Sequence, residues 1–142
     1  MTSPQTRPTI GLALGSGVAR GWAHIGVIRA LIRAGYMPNV ICGTSIGALV
    51  GGFYLAGHLN ELEDWARALN KRKMVSLLNV VTRGSGGLIS GSRLEKLMRE
   101  FIDDINIEEL GVTCAAVTAE LATAHEIWLQ KGSLVGAIQV SY

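Results

Sequence analysis

The stretch "IGALVGGFYLA", Ile46 to Ala56, carries no charged residue on any side. A helix that is apolar all round cannot lie on a wetted surface, so it must be buried near the centre of a domain. What precedes it is equally restrictive. Asn39 to Gly43 is a short apolar run that reads as a buried strand, and the two segments meet at Gly43-Thr44-Ser45-Ile46-Gly47. A buried strand turning sharply into a buried helix is the signature of an α/β domain.

The rest of the chain agrees. Its 142 residues suit one domain, able to bury about two-thirds of the surface its unfolded form exposes. A hydrophobic share of 49%, a charged share of 17% and 18 glycines exclude a disordered chain or a coiled coil. Thr9 to Leu14 reads as a first strand and Gly21 to Ala34 as an amphipathic helix stopped by Gly35. Leu59 to Met74 is charged and amphipathic, and Thr82 to Ser92 is a Gly/Ser loop. Ser92 to Ile102 is a second amphipathic helix, for which Ser92 and Glu95 form a capping box. Val112 to Leu121 and Glu126 to Leu129 read as strands, and a further helix starts at Ser133. Strand–helix alternation of this kind predicts a mostly parallel sheet covered on both faces. The chain reads as one domain over residues 1–142, with residues 1–8 as a flexible tail. Its uncapped apolar end, "KGSLVGAIQVSY", reads as a helix cut short, which makes the domain incomplete at its C-terminus.

Charge excludes some functions. The net charge of +2 comes from scattered basic residues, which does not suit nucleic-acid binding. The one cluster, Lys71-Arg72-Lys73, reads as a solvated helix end complementing the helix dipole, ahead of an anionic-lipid contact. Cys42 and Cys114 lie in apolar runs and read as small buried hydrophobes, not as a disulfide, in keeping with a reducing cytoplasm. His24, His58 and His125 lack the spacing of metal ligands and read as structural residues. No signal peptide is expected, because "MTSPQTRPT" is polar with no apolar h-region, and the uncharged run Gly35 to Gly57 reads as a strand–turn–helix ahead of a membrane span.

Gly43-Thr44-Ser45-Ile46-Gly47 matches Gly-x-Ser-x-Gly in the context that pattern requires. The flanking glycines allow a sharp turn that pushes the serine out at the sheet's carboxyl edge, at the N-terminus of a helix. Ser45 is therefore the candidate nucleophile. "LGSGVARG", Leu14 to Gly21, is a second strand–loop–helix motif. As a dinucleotide site it fails twice. Arg20 stands where the third glycine belongs, and Cys42-Gly43-Thr44 occupies the place of the ribose-binding acid. As an anion cradle for a developing oxyanion it needs only backbone N–H groups at a helix start.

Together, "LALGSGVARGWAHIGVIRAL" and "GTSIGALVGGFYLAG" resemble the patatin-like phospholipases, in particular the bacterial single-domain members. The similarity continues through "GGLISG" and "AAVTAELATAHEIWLQKGSLVGAI". The resemblance implies a three-layer α/β/α fold with a mostly parallel sheet, of which this chain is the N-terminal portion. It implies a serine esterase or lipid acyl hydrolase with a Ser–Asp dyad and no cofactor or metal. Ser45 falls on the nucleophile, within Gly43, Thr44, Ile46 and Gly47. Ser16, Gly17 and Val18 fall on the family's oxyanion glycines, and Arg20 on its arginine. Ser16 and Val18 replace glycines, and a β-branched valine does not readily take a positive φ. The family's Asp-Gly-Gly or Asp-Gly-Ala motif is absent. The only aspartates, Asp64, Asp103 and Asp104, read as solvated surface residues. The implied partner is an ester or phospholipid substrate, met in the cytoplasm or peripherally at a membrane; a homo-oligomer is a separate expectation, from the sheet strands a shortened domain would lack. Two other readings stand beside this one. They are an inactive fragment or assembly module, and a nucleotide- or phosphate-binding α/β domain.

Overall fold

The computed structural model describes residues 9–69, 92–102 and 105–142. The expected N-terminal tail, the Lys71–Lys73 cluster, the Gly/Ser loop before Ser92, Asp103 and Asp104 lie outside the described residues. In chain order come β1 (Gly11–Leu14), a 3-10 turn (Val18–Trp22), α1 (Ala23–Arg33), β2 (Val40–Gly43), α2 (Ile46–Leu55) and α3 (Leu59–Ala68). Then follow α4 (Ser92–Ile102), a 3-10 turn (Ile107–Glu109), β3 (Thr113–Ala119), β4 (Glu126–Leu129) and α5 (Leu134–Val140). The first expected helix thus begins as a 3-10 turn and becomes α-helical only at Ala23. Glu95 pairs with Arg99 one turn further along α4; the capping box expected with Ser92 involves a side chain outside those described. A carboxylate that closes a capping box is found at the second 3-10 turn, where Glu109 accepts from the Asn106 amide at 3.0 Å.

The fold is α/β, with one four-stranded sheet in the order β1-β2-β3-β4. β1, β2 and β3 are parallel, with Leu14, Gly43 and Ala116 in register, and β4 closes antiparallel on β3. Ile46 through Phe53 are all buried, as an all-apolar helix demands. One cluster unites Leu14, Ile41 and Cys114 of the sheet with Ile28 of α1, Phe53 of α2, Met98 of α4 and Ile138 of α5.

That cluster lies against one face of the sheet. The opposite face carries Gly11, Ala13, Val40 and Trp128, all exposed. The sequence pattern predicted cover on both faces. Strands that advance steadily from β1 to β2 to β3 through right-handed crossovers place α1 and α2 on the same side. A second helical layer is not among the described residues.

The sheet register also settles the cysteines. Cys42 pairs with Ala115 and Cys114 with Ile41, so the two side chains point to opposite faces and cannot bridge. Both are free thiols. Burial, with a smaller contribution from Cys42, pushes the Cys114 thiol up to about 11, and burial also raises Cys42. Since the thiolate is the reactive form, Cys114 should resist a disulfide reagent at pH 8 in the folded protein and react in denaturant. In the core, Phe53→Ala should cost about 3–5 kcal/mol, read from denaturant unfolding, because Phe53 is fully enclosed.

Candidate active site

The site begins where β2 ends. A Cβ at Gly43 would lie 2.5 Å from the Ala48 amide nitrogen, and one at Gly47 would lie 2.0 Å from the Leu14 carbonyl oxygen. No side chain fits at either position. Between them the Thr44 amide donates to the Leu14 carbonyl at 3.1 Å, tying the turn to the end of β1. Ser45 takes φ 53 and ψ −123. A positive φ on a residue other than glycine is costly and persists only where the surroundings enforce it.

Ser45 occupies the N-cap of α2, where serine ordinarily accepts a bond from the helix start. It makes no such bond. Ser133 provides the contrast within the same chain. At φ −55 it caps α5 by accepting from the Gly136 amide at 3.1 Å. The hydroxyl of Ser45 is thus not committed to its helix, and Ser45 stands half-buried at the N-terminus of α2, the positive end of the helix dipole.

The glycine-rich loop reaches the same edge of the sheet. Because Leu14 and Gly43 are register partners of parallel strands, the chain after each leaves on the same side. Gly21 then packs on the start of α2; a Cβ there would fall 2.0 Å from Ile46 Cγ2. Within the loop, the Arg20 amide donates to the Gly17 carbonyl at 2.9 Å. His24 Nε2 lies 2.9 Å from the Gly15 carbonyl. A carbonyl only accepts, so Nε2 carries the proton, and His24 is the hydrogen-bonded structural residue the sequence suggested. Ser16, Val18 and Arg20 are exposed and Gly17 half-buried.

Val18 corrects the sequence reading. Its φ is 47, within the left-handed region that a valine was expected to avoid. The loop keeps the shape its glycines would take because both ends are anchored, by His24 on Gly15 and by Gly21 on Ile46.

One group at the turn has no sequence signature. The Ser45 amide donates to Ser141 Oγ at 2.9 Å, and that hydroxyl donates to the Val117 carbonyl at 2.6 Å. Thr44 Oγ1 donates to the same carbonyl at 3.1 Å. Among the described residues no carboxylate or imidazole hydrogen-bonds Ser45, and Asp64 is exposed on α3.

A strained serine between two sterically obligatory glycines, beside a glycine-rich loop at a helix start, is the geometry against which known proteins can be compared. The family model for patatin-like phospholipases matches residues 12–141. The chain belongs to the patatin-like phospholipase family. Similar proteins include an uncharacterised NTE family protein of Mycobacterium tuberculosis, 40% identical over 134 residues. Neuropathy target esterase sws of Drosophila persimilis is 32% identical over 130 residues, covering 86% of this chain and 9% of its own length. A patatin-like phospholipase domain-containing protein of Caenorhabditis elegans is 29% identical over 123 residues, covering 84% of this chain and 11% of its own. The mycobacterial match covers 94% of this chain and 37% of that protein, so the chain spans little more than a third of its length. No helix among the described residues of this patatin-like chain is long and apolar enough to cross a membrane.

Three substitutions probe the site and its surroundings. Gly47→Ala should destabilise by about 3 kcal/mol or more, since the added methyl meets backbone that cannot retreat. Gly26→Ala, in the exposed face of α1 with open space around it, should instead stabilise by about 0.5–1 kcal/mol. Val18→Gly should raise stability by about 1 kcal/mol, because relief of strain exceeds the added freedom of the unfolded chain. Urea unfolding of the three variants checks all three signs.

Proposed function

We propose that the protein is a serine esterase acting on lipid acyl esters, with Ser45 as the nucleophile. The observation that carries this is a serine at φ 53 that forgoes its own helix cap, between two glycines that admit no side chain. Strain of this kind is retained where it serves a site. The patatin-like family and the esterase among its relatives supply the reaction class.

In this reading Ser45 Oγ attacks the ester carbonyl. The amides of Gly17 and Val18, presented by the anchored loop, hold the oxyanion as the tetrahedral centre forms. Arg20 flanks the loop on its exposed side and favours an anionic substrate group. An acyl-enzyme forms as the alcohol leaves, and water then releases the acid. A serine hydroxyl needs a base within hydrogen-bond reach. By family resemblance that base is an aspartate, carried by the Asp-Gly-Gly or Asp-Gly-Ala motif that these 142 residues do not contain.

Ser45→Ala in the full-length protein should reduce hydrolysis of a p-nitrophenyl ester by about a thousandfold or more. It should also abolish labelling by a fluorophosphonate, while leaving the unfolding midpoint close to that of the parent. Retained labelling of the alanine variant would place the nucleophile elsewhere.

A further inference from the structure

A positive φ at a residue other than glycine persists only where the surroundings enforce it, and the structure shows what holds the peptide unit before Ser45. The Thr44 carbonyl accepts from the Gly47 amide at 2.9 Å, inside the turn. The other end, the Ser45 N–H, is turned out of the helical hydrogen-bond ladder and meets Ser141 Oγ at 2.9 Å, 96 residues along the chain. A hydroxyl has one proton and two lone pairs. The Ser141 proton is committed to the Val117 carbonyl, which cannot donate. The Ser141 oxygen is therefore left as an acceptor facing the Ser45 amide, with no freedom to reverse.

The hydroxyl is itself held in place. Ser141 directly follows α5, and the preceding carbonyl, that of Val140, accepts from Thr118 Oγ1 of β3. The Val117 carbonyl receives both Ser141 and Thr44, so a single peptide of β3 secures the residues on either side of the strained bond. All three contacts at Val117 and Ser45 are half-buried, where water substitutes poorly for a lost partner.

We propose that Ser141 is the positioning residue of the nucleophile turn. Its hydroxyl links the Ser45 amide to β3 and thereby sets the backbone angle that presents the Ser45 side chain. The inference rests on reading Ser45 as the nucleophile, and it assigns to Ser141 no contact with substrate.

The test compares Ser141→Ala and Ser141→Thr with the parent in the full-length protein. The first readout, amide hydrogen exchange at Ser45, is independent of activity. Losing the acceptor of a half-buried amide should speed exchange by roughly tenfold or more. The second is fluorophosphonate labelling, whose rate should fall by a similar factor in Ser141→Ala. With a p-nitrophenyl ester the loss should fall on kcat and leave KM unchanged, because the binding surface is untouched. Ser141→Thr keeps the hydroxyl and should restore most of both readouts. Unchanged exchange and labelling in Ser141→Ala would overturn the proposal. So would a threonine variant as impaired as alanine, since packing and not the hydroxyl would then be responsible. Faster exchange in Ser141→Ala with a parent never labelled at Ser45 would identify a different failure, that of the nucleophile assignment itself.

Discussion

The structure turns on how closely the start of α2 approaches the end of β1. Gly47 sits where a Cβ would lie 2.0 Å from the Leu14 carbonyl, and that same carbonyl accepts the Thr44 amide. A helix brought this near to a strand end fixes three things together. It buries α2 along its length against Leu14 and Ile41, it forces the tight turn that carries Ser45, and it places the loop after β1 beside that turn. Neither glycine has a substitute, because the obstruction is backbone on both sides of the contact.

Most of this was legible in the sequence, since its causes are local. An uncharged run announces a buried helix, and glycines two residues before and after a serine announce a turn without room for side chains. The register that brings Leu14 level with Gly43 follows from two short parallel strands joined through a helix. Three features were not legible. The valine at φ 47 contradicts the preference of its residue type, because anchors at Gly15 and Gly21 override local propensity. The sharing of one core by α1 and α2 on the same side of the sheet depends on strand order, which hydrophobic pattern does not encode. Ser141 is the clearest case. Nothing around it in sequence marks it, and its role arises only when β3 brings Val117 beneath the turn.

The strained positions are not scattered. Of the three residues other than glycine with positive φ among those described, Val18 and Ser45 belong to the two loops that leave the carboxyl edge side by side. Each is clamped at both ends: Val18 by the His24 bond to Gly15 and the packing of Gly21 on Ile46, Ser45 by the Gly47 bond to Thr44 and by Ser141. A loop held this way cannot relax toward a better backbone angle without breaking bonds elsewhere. Groups aimed at a reacting centre are effective when they need not reorganise during the reaction, and clamped strain supplies that rigidity. The third, Ala124, lies in the β3–β4 turn, which bonds itself from the Ala124 amide to the Glu120 carbonyl and has no such partner loop.

Serine illustrates how little residue identity decides alone. Ser133 and Ser45 both precede a helix, and either could cap it. Ser133 does so because its ordinary φ points the hydroxyl at the Gly136 amide. Ser45 does not, because the adjoining glycines and the Ser141 bond rotate its backbone out of capping geometry. Ser141, just past a helix end, uses the same hydroxyl as a donor to one strand and an acceptor from the turn. The three differ in what their backbone and neighbours leave the hydroxyl to do, and only at Ser45 is it left uncommitted to the fold. That difference, more than the five-residue pattern around it, separates a nucleophile candidate from a structural serine in this chain.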